Sequence, residues 1–511
     1  MHDTTRPLPL TGRDLCAQDL TDVARGGLQV AIAPEALARL AEGRRVVEAA
    51  IDSDQPVYGI TRGLGPQVTH SLSRDDMAAF SLRTLRGRAH AVGPRLSREH
   101  VRAVMAVRLN GLLNGGAGIT PALAELLAEF LNRKLHPVVP SIGSVGASDL
   151  CVLAHLGLAL VGEGEIEHEG EKLPAGKALA AAGLAPGTLG PKDGIALCSA
   201  SSLSAGVGGL VLHDAGEAWR LAQLAAAMSL EAFRANLTPY GPKVTAARPA
   251  PGQVEASAYL LEVLADSDLQ DTAKARRLQD PISLRAVGPL HGSLLSAIRF
   301  LAPAVLAEVN GAGDNPLVVI DEERLVSTAN FHTPALALAL ETLAQSMAQT
   351  AAASVARAAK LLTPRLSDLP DGLSPKGPGN SGLAPVLKVG EALVQELRHL
   401  AQPAMPDLRW SADGVEDDIT GAPLAAKKAA EALWRLRLVF GIELIIAAQA
   451  VELRRGTSPA SAIAAALAAI REVVPSLKED RPYSADLENL DAALLRDGAL
   501  VARAAVPPLP L

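Results

Sequence analysis

Aromatic residues, cysteines and excess positive charge are all scarce in this 511-residue chain. Aromatics make up 3% of the residues, and the three cysteines (Cys16, Cys151 and Cys198) lie far apart, without the spacing of a metal site. The net charge of −7 disfavours a nucleic-acid or anionic-membrane partner. The longest apolar runs are broken by Glu or Gly, whereas a membrane span needs about 20 apolar residues. We therefore expect a reduced, cytoplasmic protein without a metal, nucleic-acid or membrane site.

Hydrophobic residues make up 49% of the chain, with alanine and leucine prominent. Both are strong helix formers, and their long patterns are apolar over wide faces, which favours an all-α fold with a long central helix bundle. We expect an N-terminal helical region over 1–200 and the bundle, with the C-terminal helices, over 201–511. A short hairpin is expected within 161–186. Helical patterns cover 74–131 (interrupted near 114–118), 150–160, 203–235, 283–311, 334–362, 383–402 and 420–454.

A Gly- and Ser-rich stretch ends in Ala147, Ser148 and Asp149, and several other short motifs are spread along the chain in a fixed order. Together they resemble the histidine/phenylalanine (aromatic amino acid) ammonia-lyase family over roughly residues 10 to 500. The resemblance implies the all-α, fumarase/aspartase-like fold of that family and a homotetramer whose active sites are built from loops of three chains. The matching motifs are residues 57–65, 108–110, 143–150, 283–285, 314–317, 330–332, 380–382 and 416–417.

In that family an Ala-Ser-Gly tripeptide cyclises to the electrophile methylidene-imidazolone (MIO), which bonds to the substrate amine. Here Ala147-Ser148 runs directly into Asp149, and the glycine is missing. Glycine's conformational freedom permits the compressed turn that cyclisation needs, whereas Asp149 carries a Cβ. Two further positions differ from the family, with Ser199 in place of an asparagine and Val415 in place of a glutamine. We therefore expect no MIO and no other cofactor.

The resemblance assigns catalytic roles to Tyr58 and Glu416, and the sequence adds Arg62. Tyr58 matches the base that removes the β-proton; a phenol has a pKa of about 10 and needs help to ionise at neutral pH. Arg62, four residues on, is a possible source of nearby positive charge, although the family usually has a small polar residue there. Glu416 matches a glutamate near the substrate amine. The structural alternatives are a packed turn residue for Tyr58 and a solvated acidic run for Glu416.

Substrate binding is assigned to a second group of residues. Arg285 matches the arginine that pairs with the substrate carboxylate, since guanidinium and carboxylate pair through two parallel hydrogen bonds. The alternative is a structural salt bridge with Asp280. Asn315 and Phe331 match pocket positions of the family and are equally compatible with a scaffold role, and Ser199 completes the set.

Three cationic residues stand where the family has neutral ones. Arg88 falls near the position that selects the substrate ring, Lys376 sits in a Gly-rich loop, and Lys388 lies inside an apolar run. An anionic or polarisable substrate group would explain Arg88 and one lysine. We expect Lys376 or Lys388 to act in catalysis, where together with Arg62 and Arg88 it would stabilise developing negative charge. The alternatives are a surface charge for Arg88, a solvated loop residue for Lys376, and an i,i+3 pair with Glu391 for Lys388.

These observations predict a carbon–nitrogen lyase that eliminates trimethylamine or ammonia from a histidine-like α-amino acid or betaine. The product is an α,β-unsaturated, urocanate-like acid. Lack of MIO makes the chain similar to the ergothionases, the MIO-free branch that removes trimethylamine from a thio-histidine betaine. Two alternatives stay open: an orthodox MIO-dependent ammonia-lyase or aminomutase, and a catalytically degenerate scaffold or binding subunit.

Overall fold

Helices make up most of the chain in the computed structural model, which describes residues 6–53, 57, 60–63, 72, 74–377, 379–404 and 414–510. This confirms the predicted all-α class. The α-helices are α1 Ala17–Thr21, α2 Pro34–Asp52, α3 Arg74–Arg88, α4 Arg98–Leu112, α5 Pro121–Asn132, α6 Leu150–Leu160, α7 Ala175–Ala181, α8 Asp193–Cys198, α9 Ser202–Phe233, α10 Pro242–Ala247, α11 Gln253–Val263, α12 Ile282–Arg285, α13 Val287–Asn310, α14 Pro334–Leu361, α15 Pro364–Ser367, α16 Val386–Leu400, α17 Ala422–Leu453, α18 Ser461–Val473, α19 Ser484–Leu490 and α20 Ala499–Arg503.

Short strands form small sheets between the helices. They are β1 Leu8–Leu10, β2 Val30–Ile32, β3 Val92–Arg95, β4 His136–Pro137, β5 Pro140–Ile142, β6 Glu165–His168, β7 Glu171–Pro174, β8 Leu317–Val319 and β9 Arg324–Val326. The segments β6 and β7 make the hairpin expected within 161–186, and β4 pairs with β6. The other pairs are β1 with β2, β3 with β5, and β8 with β9.

The continuous helical pattern expected over residues 74–113 is wrong at β3. Helix α3 ends at Arg88, and Val92 and Arg95 pair with Ile142 and Pro140 of β5. Gly93 adopts a φ of +86° there, which favours glycine. Pairing with the distant strand β5 has overridden the local helical pattern. Sequence periodicity alone does not reveal such pairing.

Helix α4 is buried along most of its length. Ser97 caps its N-terminus by accepting a hydrogen bond from the backbone N–H of His100. Every residue from Val101 to Leu112 is buried, including two arginines, Arg102 and Arg108. Charged side chains are rarely buried without a partner, so these two arginines must donate to acceptors inside the fold.

The described chain forms two compact units, each discontinuous in sequence. The first comprises Met1–His213, Ala302–Leu340 and Ala404–Lys427, and the second comprises Asp214–Leu301, Glu341–Pro403 and Lys428–Leu511. The predicted division into 1–200 and 201–511 concerns order along the chain and stays a prediction.

By length and composition alone, the segments Asp193–Phe233 and Val287–Asn310 are apolar enough to cross a membrane. The apolar window of the first is 100% buried and that of the second 44% buried. Complete burial of the first window is what a core helix shows.

Candidate active site

The Ala147-Ser148-Asp149 segment is a tight turn at the N-terminus of α6. Gly146 and Ser148 have positive φ values of +93° and +60°, and these two residues form an isolated backbone bridge. A non-glycine residue in the left-handed region is uncommon and marks a constrained turn. The backbone N–H of Asp149 donates to the carbonyl of Ala200 at 2.7 Å. The turn is thereby attached to the chain that follows α8.

The Asp149 carboxylate is fully buried and accepts several hydrogen bonds. Ser144 Oγ donates to Oδ1 at 2.6 Å. At the start of α9, Ser204 donates to Oδ2 through its backbone N–H at 2.9 Å and through Oγ at 3.2 Å. Burial raises the pKa of Asp149, and these hydrogen bonds oppose the increase. The carboxylate therefore caps helix α9, where the helix dipole favours negative charge.

A second segment, around residues 331–332, packs against this turn. The backbone N–H of Ser148 donates to the carbonyl of Phe331 at 3.4 Å, and the same carbonyl accepts from Ser201 Oγ at 2.8 Å. Ala147 forms an antiparallel bridge with His332. Phe331 thus contributes its main chain to the turn, and its predicted role in substrate binding stays a prediction.

A third segment, at residues 418–421, closes on the other side of the turn. Thr420 Oγ1 donates to the carbonyl of Gly146 at 3.1 Å, and the N–H of Gly421 donates to the carbonyl of Val145 at 3.1 Å. A Cβ at position 146 would lie 2.1 Å from Thr420 Oγ1, so glycine is required there by close approach as well as by backbone angle.

The second and third segments are joined by a side-chain contact that the sequence did not predict. His332 Nε2 lies 3.2 Å from Asp418 Oδ2. Asp418 is two residues from Glu416, which is exposed in this single chain. This exposure matches the solvated alternative for Glu416 as far as one chain is concerned, and its catalytic role stays a prediction.

Of the motif at residues 57–65, the structure describes residues 57 and 60–63. Tyr58 lies outside the described residues. Arg62 is half-buried, and its backbone N–H donates to the carbonyl of Val57 at 3.1 Å. The proximity of Arg62 to the phenol stays a prediction.

Ser199 and Asn315 both lie in the first unit. Ser199 follows α8 and is buried, with its N–H donating to the carbonyl of Ile195 at 2.8 Å. Asn315 precedes a cis peptide bond to Pro316, and its Oδ1 accepts from the N–H of Thr328 at 3.0 Å. The amide oxygen of Asn315 thus braces a neighbouring loop, which is the scaffold role left open by the sequence.

Arg88 differs from the two arginines that precede it on α3. Arg83 and Arg86 are exposed and pair with Asp76 at 3.6 Å and Glu163 at 2.5 Å. Arg88 is half-buried, and within the described residues its side chain has no ion pair or hydrogen bond. The surface-charge alternative therefore describes Arg83 and Arg86 but not Arg88.

The positive charge of Arg88 acts electrostatically on Cys198, the last residue of α8. Burial raises the pKa of the Cys198 thiol to about 12, and the positive charges of Arg88 and Arg108 act in the opposite direction. Because Cys198 immediately precedes Ser199, this charge acts next to a predicted substrate-binding residue.

Arg285 lies in the second unit and is half-buried. When the side-chain amide of Gln279 is oriented with its oxygen toward the guanidinium, both Nη atoms of Arg285 donate to that oxygen, at 3.0 and 3.1 Å. Asp280 instead accepts from the N–H of Asn236 at 2.7 Å, and among the described residues it forms no ion pair with Arg285. Burial raises the pKa of Asp280. The expected alternative, a salt bridge between Arg285 and Asp280, is therefore not formed by these two described residues. The partner of the Arg285 guanidinium is the neutral amide of Gln279.

Both lysines lie at the surface of the second unit. Lys376 pairs with Glu479 at 2.6 Å, and Lys388 pairs with Glu391 at 2.9 Å. The side chain of Lys388 is 78% exposed, so the apolar run around it does not bury it. The i,i+3 pair is therefore present, and the catalytic roles of both lysines stay predictions.

One acidic residue near the turn was not singled out from the sequence. Glu308, on α13, has its pKa raised to about 7 by burial and, secondarily, by the Asp149 carboxylate. A glutamate on a long helix carries no sequence signal for such a shift, which depends mainly on burial in the fold and secondarily on Asp149, which is distant in sequence.

The helical fold and the turn at residues 147–149 are those expected of an ammonia-lyase. Comparison with known proteins identifies the family. Residues 15–472 match the family model described as aromatic amino acid lyase, and the chain belongs to that family. It is 39% identical over 504 residues to histidine ammonia-lyase of Anaeromyxobacter dehalogenans, covering 96% of this chain and 99% of the relative. It is accordingly a carbon–nitrogen lyase.

Solved structures agree with this assignment. The chain is similar to the ergothioneine-degrading enzyme ergothionase from Treponema denticola, in complex with desmethyl-ergothioneine sulfonic acid. That match has a TM-score of 0.90 and 31% identity, over 98% of this chain and 99% of the other. Histidine ammonia-lyase from Trypanosoma cruzi matches with a TM-score of 0.91 and 30% identity, over 98% and 96%. The predicted ammonia-lyase fold is confirmed.

Proposed function

We propose that this lyase works without MIO and eliminates an amine, trimethylamine in preference to ammonia, from a histidine-like betaine or α-amino acid. The observation that carries the proposal is the hydrogen bond from the Asp149 N–H to the Ala200 carbonyl at 2.7 Å. In the family's cyclisation, the nitrogen two residues after the alanine attacks the alanine carbonyl. Here that nitrogen belongs to Asp149, and its N–H already donates to the carbonyl of Ala200.

The carboxylate of Asp149 also supports the proposal that MIO does not form. Its carboxylate is buried against Ser144 and the N-terminus of α9, so moving the backbone nitrogen toward Ala147 would break those hydrogen bonds as well. A buried acceptor network that loses its partners costs about 1–3 kcal/mol per group. The residues present therefore do not suit the prosthetic group, and no step of the proposed reaction uses it.

Chemistry without an electrophile favours a leaving group that needs no activation. Abstraction of the β-proton leaves an electron pair that forms the Cα–Cβ double bond, and the Cα–N bond breaks with its pair on nitrogen. A quaternary ammonium leaves directly as a neutral tertiary amine. The similarity to ergothionase, solved in complex with desmethyl-ergothioneine sulfonic acid, supports a betaine of this class.

The chain's own residues supply the remaining functions. Tyr58 takes the β-proton, Arg285 binds the substrate carboxylate through its two Nη atoms, and Glu416 faces the cationic amine. Arg88, half-buried and without an acidic partner in the described chain, binds the polarisable or anionic substituent of the ring. Withdrawal of electron density into that substituent acidifies the β-proton.

Arg62 and the two lysines have subordinate proposed roles. Arg62 favours the phenolate form of Tyr58. Lys388 and Lys376, exposed in a single chain, are available to a site completed by other chains and would stabilise negative charge developing there.

The experiment is a substrate panel of L-histidine, its trimethyl betaine and ergothioneine. Product is followed by ultraviolet absorbance of the new double bond, and the released amine is quantified separately. We expect the betaines to be eliminated at least tenfold faster than histidine, because only their leaving nitrogen is permanently cationic and cannot lose its charge by deprotonation. Faster elimination of ammonia from histidine would contradict it.

We also propose a soluble, cytoplasmic homotetramer whose sites are shared between chains. Light scattering on the purified protein gives the oligomeric state. Mixing and refolding an inactive Tyr58→Phe chain with an inactive Arg285→Ala chain should restore part of the activity if the two residues come from different chains. No restoration from mixed tetramers would contradict shared sites.

A second candidate is an orthodox MIO-dependent histidine ammonia-lyase. The 39% identity to histidine ammonia-lyase of Anaeromyxobacter dehalogenans favours it. Inactivation by borohydride or cyanide, which attack the electrophile, would support this candidate and contradict the MIO-free proposal.

A further inference from the structure

Arg108, near the C-terminal end of α4, connects two separate parts of the candidate site. Its side chain is 1% exposed. A single nitrogen, Nη2, donates both to the carbonyl of Ala196 and to Asp314 Oδ1, the latter at 2.7 Å. Ala196 lies in α8, whereas Asp314 lies in the turn that precedes β8. One guanidinium therefore fixes the separation of two segments that are distant in sequence.

Each of these two partners is next to a residue of the proposed site. Ala196 is three residues before Ser199 and four before Ala200, whose carbonyl accepts the N–H of Asp149. Asp314 immediately precedes Asn315. The hydrogen bonds of Arg108 thus determine where the end of α8 and the Asn315 turn lie relative to each other.

The charges around Arg108 leave little freedom for another arrangement. Asp314 is 1% exposed, and Lys192 is also buried, with its ammonium group bonded to the carbonyl of Ala117. Within the described chain, Asp314 Oδ2 and Arg108 Nε have no hydrogen-bond partner. Loss of the Arg108–Asp314 ion pair would leave a buried, unpaired charge beside the turn that precedes β8. That turn would then have to move.

We infer that Arg108 is a positioning residue of the lyase: by binding Ala196 and Asp314 at once, it aligns the Ser199 and Asn315 segments for the substrate. The inference rests on the proposed site, since it assumes that the substrate lies against these two segments. Misplacement of a substrate by about 1 Å can cost about 100-fold in rate.

The same helix offers a matched control. Arg102 is also buried on α4, and it donates to the backbone carbonyls of Val23 at 2.9 and 2.7 Å and of Leu131 at 3.0 Å. Neither acceptor adjoins a proposed site residue. Arg102→Lys and Arg108→Lys therefore make the same chemical change in the same helix, and only the second disturbs the site.

The experiment compares Arg108→Lys, Asp314→Asn and Arg102→Lys in the full-length protein. Hydrogen exchange is read at two amides, those of Asp149 and Thr328, which are bonded to Ala200 and Asn315. We expect faster exchange at both amides in Arg108→Lys and unchanged exchange there in Arg102→Lys. Unchanged exchange at both amides in Arg108→Lys and in Asp314→Asn would overturn the inference.

Kinetics provide the second readout. Arg108→Lys should lower kcat by about 10- to 100-fold, whereas Arg102→Lys should keep kcat within about threefold even if its Tm falls equally. Equal kcat losses in the two variants would mean a purely structural role and would overturn the inference. Asp314→Asn, which keeps an acceptor oxygen, serves if Arg108→Lys does not fold. Wild-type protein that eliminates no amine would refute the proposed function, while the exchange measurement would still decide the inference.

Discussion

The backbone N–H of Asp149 donates to the carbonyl of Ala200 at 2.7 Å, and this relationship governs what the turn can do. The nitrogen that a relative with an Ala-Ser-Gly tripeptide would use for cyclisation is here a hydrogen-bond donor to the chain after α8. The same residue caps α9 through its carboxylate. Asp149 therefore has a structural role at each of its polar groups.

Removal of the Asp149 carboxylate should destabilise the protein. Asp149→Ala loses the acceptor for Ser144 and Ser204, and the expected decrease in the free energy of unfolding is about 2–4 kcal/mol. Asp149→Asn keeps one acceptor oxygen and should lose less than half as much. Chemical denaturation of both variants at pH 7 checks this. Equal stability of wild type and Asp149→Ala would contradict the capping role.

Substitution of Tyr58 by phenylalanine removes the proposed base without removing the ring. We expect turnover to fall by at least 1000-fold, because the β-proton is weakly acidic and has no other assigned acceptor. The oligomeric state, checked by light scattering, should not change. Turnover at the wild-type rate would refute the assignment of Tyr58 as base.

Arg88 should determine selectivity for the ring substituent, and Arg83 provides the matched control on the same helix. Arg88→Met should raise KM at least tenfold for a betaine with a sulfur-bearing ring, because a charge-assisted contact is lost. The effect should be smaller for the sulfur-free betaine. Arg83→Met removes an exposed ion pair with Asp76 and should leave the KM for both betaines unchanged. Equal effects of the two substitutions would contradict the selectivity role.

Glu308 should make stability depend on pH. Its pKa is about 7 in the folded protein, above its usual value of 4.5. The contribution of a group with a raised pKa is fully present below the unfolded-state pKa and is lost as pH rises through the folded-state pKa. Wild type should therefore lose up to about 3 kcal/mol from this residue between pH 4.5 and pH 8.

Glu308→Gln, which cannot ionise, tests this dependence. The variant should be more stable than wild type at pH 8, and the difference should disappear near pH 4.5. Denaturant unfolding of both proteins across this pH range gives the comparison. A constant difference at all pH values would mean that Glu308 does not titrate in this window.

The sequence predicted the parts of the fold that local pattern controls. Helix α6 was expected at 150–160 and is observed at Leu150–Leu160, and the long helices α9 and α14 begin and end within a few residues of expectation. Apolar periodicity and strong helix formers are local properties, so one sequence suffices. Strand β3 was missed because it depends on pairing with β5.

The candidate site was predictable in its residue types and less so in its contacts. The motifs located the Ala147-Ser148-Asp149 turn, yet the His332–Asp418 pair joins positions 86 residues apart. The structural alternatives for Arg88 (a surface charge) and Arg285 (a salt bridge with Asp280) depend on the groups around each side chain. Arg88 has no acidic partner in the described chain, and Arg285 contacts the amide of Gln279 and forms no ion pair with Asp280. Such distinctions depend on tertiary packing, which composition and spacing do not encode.

The central claim is that Ala147, Ser148 and Asp149 stay an ordinary peptide. Mass spectrometry of freshly purified protein, intact and as the peptide that contains these residues, tests it most directly, with Ser148→Ala as the control that cannot dehydrate. Our account predicts the mass calculated from the sequence for both proteins. A wild-type mass lower by about 36 Da, equal to two waters and confined to that peptide, would show that the electrophile forms and would contradict the account.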